Sequence, residues 1–123
     1  MNIDLEVDNM KHFLIAKFKD RDDTEKLNGF INVSTTKSSG DHGADILADK
    51  YDVRYAIQCK NYIRNVGNSA IQEVFSAKSF YNCDIAVVMT NSSFTQQAIE
   101  EAGRLGVKLW DGQKIKELQE KAI

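Results

Sequence analysis

Hydrophobic and polar positions alternate with a period of two in two stretches of the first half of the chain, and a helical period dominates much of the second. Residues 3–8, IDLEVD, alternate apolar and acidic side chains, which predicts a half-buried edge strand. Asn9 then caps a helix over about 10–19 with Phe13, Leu14 and Phe18 inward, and the charged run DRDDTEK at 20–26 reads as a solvated connection. FINVSTT at 30–36 is β-branched and alternating, hence a strand. A polar turn built on Ser38, Ser39, Gly40, Asp41 and Gly43 leads to a second strand at 44–48. Residues 49–52 turn the chain into a third strand at 54–61. Three strands joined by tight polar turns predict an antiparallel meander.

The period then lengthens. Over 69–81, Ala70, Val74, Ala77 and Tyr81, with Ile71 and Phe75, share one helical side, and Gln72, Glu73, Ser76 and Ser79 the other. DIAVVMT at 84–90 is an apolar run of the kind that marks a central strand covered on both faces. Ser93 with Gln96 three residues later forms a capping-box signature for a helix over 94–105, ended by Gly106. A short strand at 107–110, a turn at Asp111-Gly112 and a helix at 114–121, with Ile115 and Leu118 inward, complete the chain. Strand–helix–strand–helix requires a parallel crossover. The fold class is therefore α/β: a mixed central sheet, an antiparallel meander followed by a parallel crossover, flanked by helices on both sides. The 123 residues suit one domain, with 1–28 an N-terminal strand and helix and 29–118 the core.

Composition alters this picture little. The chain is 42% hydrophobic and 28% charged, as soluble globular proteins are. No apolar run approaches the roughly 20 residues of a membrane span and nothing near Met1 reads as a signal peptide, which predicts a cytoplasmic protein without a membrane partner. Two cysteines, Cys59 and Cys83, and two histidines make neither a disulfide framework nor a structural zinc site. The net charge of −2 does not advertise nucleic-acid binding. From Arg54 to Lys78, however, four bases (Arg54, Lys60, Arg64, Lys78) face one acid, Glu73. That excess predicts a weak positive patch, although an ordinary mixed surface gives the same count.

The candidate chemistry lies in residues 40–62. Side chains alternate along a strand, so Ala56, Gln58 and Lys60 share one face, opposite Tyr55, Ile57 and Cys59. The second set is apolar and belongs in the core, leaving Gln58 and Lys60 together on the other face. Asp45, on the neighbouring strand, is a polar residue among apolar ones and needs partners there. A carboxylate, an amide oxygen and a lysine at one point suit a Mg²⁺-dependent phosphodiesterase. A partly buried Asp–Lys salt bridge with Gln58 as hydrogen-bonding neighbour accounts for the same spacing.

The surrounding blocks add a resemblance. SSGDHGADILA, YAIQCKNY, VGNSAIQEV, VVMTNSSFTQQAIEEA and GVKLWDG follow in the order and spacing of Mrr-like restriction endonucleases, within the PD-(D/E)xK nuclease superfamily. Residues from Gly29 to Leu118 resemble their catalytic domain. The resemblance implies a restriction-endonuclease-like fold, a divalent metal and hydrolysis of DNA phosphodiester bonds. It matches Asp45 to the metal-binding aspartate, Gln58 to the residue that replaces the superfamily's acid, and Lys60 to the catalytic lysine. Mg²⁺ or Mn²⁺ would then be held by Asp45, Gln58 and the backbone carbonyl of Cys59. The family's first-helix glutamate falls on His12, whose imidazole can bind a metal but suits Mn²⁺ or Zn²⁺ better than Mg²⁺, or is simply exposed. His42, Tyr62, Arg64, Asn68 and Gln72 are candidates for DNA contact, and Gln72 and Glu73 together for a position toward the metal or the DNA, with exposed surface as their plain alternative. The expected partners are DNA and either a second copy of the chain or a fused or associated recognition domain. Two rivals remain open: a DNA-binding module of the same fold with weakened catalysis, favoured by His12, and a nuclease acting on RNA or branched DNA.

Overall fold

A computed structural model describes residues 30–36, 43–60, 64–114 and 117. The strand expected at 3–8, the helix at 10–19, the loop at 20–26, the turn at 38–41 and most of the last helix lie outside the described residues.

The described elements run β1 (Ile31–Thr35), β2 (Ile46–Lys50), β3 (Val53–Lys60), α1 (Asn68–Phe80), β4 (Ile85–Thr90), α2 (Gln96–Leu105) and β5 (Lys108–Trp110). They form one five-stranded sheet in sequence order. β1–β2 and β2–β3 pair antiparallel, while β3–β4 and β4–β5 pair parallel. This is the expected α/β architecture of a meander followed by parallel crossovers.

Each face of the sheet carries its own core. Phe30, Ile46, Ala48, Ile57, Cys59, Val87, Met89 and Trp110 cluster on one side. On the other, α1 and α2 press Ala70, Ile71, Val74, Ala98 and Ala102 against Ala86, Val88 and Val107. Both described helices thus lie on one face. Helices were expected on both faces; the one expected at 10–19 falls outside the described residues. β4 is buried along Ala86–Thr90, as its apolar run requires of an interior strand.

Several boundaries move, each for a local reason. β2 starts at Ile46 rather than 44 and runs on to Lys50, because the hairpin turn takes only two residues, Tyr51 and Asp52, with φ of 52° and 64°. Positive φ at both central residues matches the right-handed twist of the paired strands. α2 is capped by Thr95, not Ser93: the Thr95 hydroxyl accepts the Ala98 N–H at 3.1 Å. Ser93 instead donates its hydroxyl to Asn65 at 2.6 Å and accepts the Val66 N–H on its carbonyl at 2.8 Å, pinning the segment before α1. Gly106 ends α2 in the left-handed region at φ 74°, as expected. The last helical turn begins at Gly112, with the Asp111 carboxylate accepting the Lys114 N–H at 2.9 Å. Phe75, expected on the inward side of α1, is more than one-third exposed.

Candidate active site

Parallel pairing sets where the site lies. Lys60 stands beside Thr90 in the register of β3 and β4, so Gln58 and Lys60 occupy the C-terminal end of the parallel strands. Open α/β sheets bind ligands at that end. Ile57 and Cys59 point into the first core, which leaves Gln58 and Lys60 on the face that α1 covers.

Asp45 is fixed from three directions. Its N–H donates to the Ile57 carbonyl at 2.8 Å and its own carbonyl accepts the Thr36 N–H at 3.0 Å. Its carboxylate Oδ2 accepts the Cys59 N–H at 2.8 Å. The backbone ladder between β2 and β3 ends at the pair Ile46–Ile57, and the Asp45 side chain continues it by one bond. The carboxylate is thereby anchored on the peptide joining Gln58 to Cys59. Thr36 supports the approach by donating its hydroxyl to the Ala44 carbonyl at 2.7 Å.

Gln58 is only 5% exposed, yet its Oε1 has no hydrogen-bond partner among the described residues. Its Nε2 donates to Oε2 of Glu73 at 3.0 Å. The same Glu73 oxygen lies 3.9 Å from Nζ of Lys60. Of the two expectations for Glu73, a solvated helix face or a position toward the site, its half-exposed side chain meets both: it stays open to solvent and reaches Gln58 and Lys60. At 100° per residue it sits about 40° beyond Ala77, on the margin of the buried face, whereas Gln72 points away. That angular position was the available signal.

Gln72 and Asn68 both turn toward α2. Their amides donate to Glu101 at 3.1 and 3.4 Å. Those two hydrogen bonds, Gln72 first, hold the Glu101 carboxyl below its usual range. Arg64 is exposed. His12, His42 and Tyr62 lie outside the described residues. Of the basic residues from Arg54 to Lys78, Arg54 is held away from the site. Arg54 pairs with Asp49 at 2.9 Å, at the opposite end of β3 from Lys60, about 20 Å away at a strand's rise per residue. Burial pushes the Asp49 carboxyl up, but hydrogen bonds from Asn32 and Arg54 and the charge of Arg54 outweigh it, and its pKa is lowered.

No group of three His, Cys, Asp or Glu side chains able to hold a metal occurs among the described residues. With Gln58 in place of an acid, any ion here depends on amide and backbone oxygens as well. The oxygen-only donor set of Asp45, Gln58 and the Cys59 carbonyl, with a buried amide oxygen that has no partner among the described residues, fits a hard divalent cation. Cys59 and Cys83 are both buried and not joined in a disulfide, and burial pushes the Cys83 thiol up.

This geometry belongs to the restriction-endonuclease-like class of folds. The DNA modification-dependent restriction endonuclease AspBHI superposes with a TM-score of 0.59 at 17% identity, covering 96% of this chain and 36% of its own. A protein of unknown function, AF1548, gives 0.62 at 19% identity, covering 83% of this chain and 56% of its own. The chain thus spans about half of one neighbour and a third of the other, and at these identities the likeness is one of fold. No curated protein matches it. The Mrr_cat restriction endonuclease family model matches residues 22–119, and the chain belongs to that family.

Proposed function

We propose that the chain is a divalent-metal-dependent endodeoxyribonuclease domain acting through Asp45, Gln58 and Lys60. The observation that carries this reading is the amide oxygen of Gln58, buried and without a partner among the described residues, two residues before a lysine and beside an anchored carboxylate. A buried acceptor left unpaired costs about 1–3 kcal/mol. A cation at that point supplies the missing partner.

Asp45, Gln58 Oε1 and the Cys59 carbonyl would hold Mg²⁺ or Mn²⁺, which when bound acidifies a water and polarises a phosphoryl oxygen. Lys60 is half-buried at the same end of β3 and brings a positive charge toward negative charge developing on the phosphate. The Asp45 carboxylate is already oriented by the Cys59 N–H. Arg64 is the described candidate for a DNA phosphate, and His42 and Tyr62 adjoin the same segments in sequence. Asn68 and Gln72 would reach a phosphate only by releasing Glu101.

DNA affinity follows the number of phosphates contacted, so a second copy of the chain or a recognition domain would strengthen binding. Two buried cysteines outside any disulfide suit a cytoplasmic setting. Among the described residues no helix is long and apolar enough to cross a membrane.

Plasmid nicking with Mg²⁺ or Mn²⁺ tests the reading. Asp45→Ala and Lys60→Ala are each expected to lower the rate at least about 100-fold, the scale of removing a principal electrostatic group. Activity surviving both substitutions would sink this site. Binding without cleavage in either metal would favour the DNA-binding module instead.

A further inference from the structure

Glu73 is the carboxylate beside the site that the reading above leaves without a role. From α1 it reaches both members of the Gln-x-Lys pair, accepting from Gln58 Nε2 at 3.0 Å and lying 3.9 Å from Lys60 Nζ. An amide side chain has two ends of nearly equal shape, and its hydrogen-bond partners decide which end faces where. With Glu73 accepting from Nε2, a flipped Gln58 would set its oxygen against a carboxylate oxygen, acceptor to acceptor. Glu73 thereby keeps Oε1 turned away from itself, where that oxygen has no partner among the described residues. The Lys60 contact is long and the Glu73 side chain is half-exposed, so the pair adds little to stability. Its effect is on where the ammonium sits. Gly43, two residues before Asp45, packs directly on the Glu73 backbone, which ties this helix position to the segment carrying the aspartate.

We propose that Glu73 is the positioning residue of the site: it locks the Gln58 amide with its oxygen facing the cation position and holds Lys60 in register beside it. The negative charge that an acid at position 58 would carry resides on the helix instead and acts through the amide. The catalytic meaning of this proposal rests on the nuclease reading; the contact itself does not.

The test exchanges the two groups. Glu73→Gln is expected to retain the far-UV spectrum of the parent and to lower Mn²⁺ affinity by calorimetry, and nicking, about tenfold, as loss of one charge-assisted hydrogen bond does. Gln58→Glu sets two carboxylates within hydrogen-bonding distance, where one must take up a proton or the two diverge, and is expected to lose nicking by a similar factor. The double variant, with the amide on the helix and the acid on the strand, is expected to return to within about threefold of the parent. A double variant no faster than the slower single one overturns the proposal, as does a Glu73→Gln protein with unchanged Mn²⁺ affinity. If the parent nicks no DNA, the nuclease reading fails by itself. The positioning contact is then decided by NMR of the Gln58 side-chain amide, assigned by its disappearance in Gln58→Glu. Slow hydrogen exchange there in the parent, lost in Glu73→Gln, upholds it; fast exchange in the parent overturns it.

Discussion

Gly43 shows how one residue constrains the site without taking part in its chemistry. Its φ is 85°, and a Cβ built on it would lie 2.2 Å from the carbonyl oxygen of Glu73. That obstacle is backbone and cannot rotate aside. Left-handed strain costs an L-residue about 1–2 kcal/mol, and the clash adds to it. Gly43→Ala is therefore expected to destabilise the fold by more than about 2 kcal/mol, read as a lower urea midpoint with an unchanged slope. A loss well under 1 kcal/mol would mean that the hairpin and α1 can separate, and that Glu73 is not tied to Asp45 as described. Asp45 makes a related point. From sequence it is a carboxylate on an apolar strand; in the fold it serves as the next rung of the β2–β3 ladder through its bond to the Cys59 N–H.

Among the elements, the sequence pattern located each described strand and helix but misplaced some of their ends. Period-two alternation identified β1, the polar turns around two short apolar runs set off β2 and β3, and the long apolar run identified β4, because burial acts on every second residue or on every residue of a strand. Ends depend on single hydrogen bonds. Ser93 and Thr95 are both plausible caps ahead of α2, and Ser93 even stands three residues before a glutamine. The choice fell to Thr95 because Ser93 is engaged with Asn65 and Val66, and the bridge between Val66 and Phe94 keeps that segment extended. Thr95→Ala should accordingly cost about 1 kcal/mol, the usual value of an N-cap, in chemical denaturation. A neutral Thr95→Ala would place the cap elsewhere.

For the molecule as a whole, the sheet is a partition shared by two cores. Ile57 and Val87 serve one face while their neighbours Ala56, Ala86 and Val88 serve the other, so losing β3 or β4 dissolves both. Trp110, the only tryptophan, packs among Phe30 and Tyr55 on the face away from the two described helices, with ring centroids 5.8 and 6.4 Å distant. Its fluorescence reports that face, whereas far-UV ellipticity is weighted toward the helices. The two signals should trace one coincident denaturant transition. Separate midpoints would show that the faces unfold independently.

Local pattern was enough for the α/β class, the meander, the crossover and the pairing of Gln58 with Lys60 on one face, because strand period and core burial follow from the order of residues. It was also enough to single out Asp45 as a polar residue needing partners. Tertiary structure decided which partners were found. The Asp45 carboxylate met a peptide N–H, Gln72 and Asn68 turned to Glu101, and Arg54 was drawn to Asp49 at the far end of its strand. Above all, Glu73 came to rest on Gln58 and Lys60. Fifteen residues separate Glu73 from Gln58, and no periodicity connects them. Only the crossing of α1 over the end of β3 sets the distance between them, and that crossing is the product of packing many side chains at once.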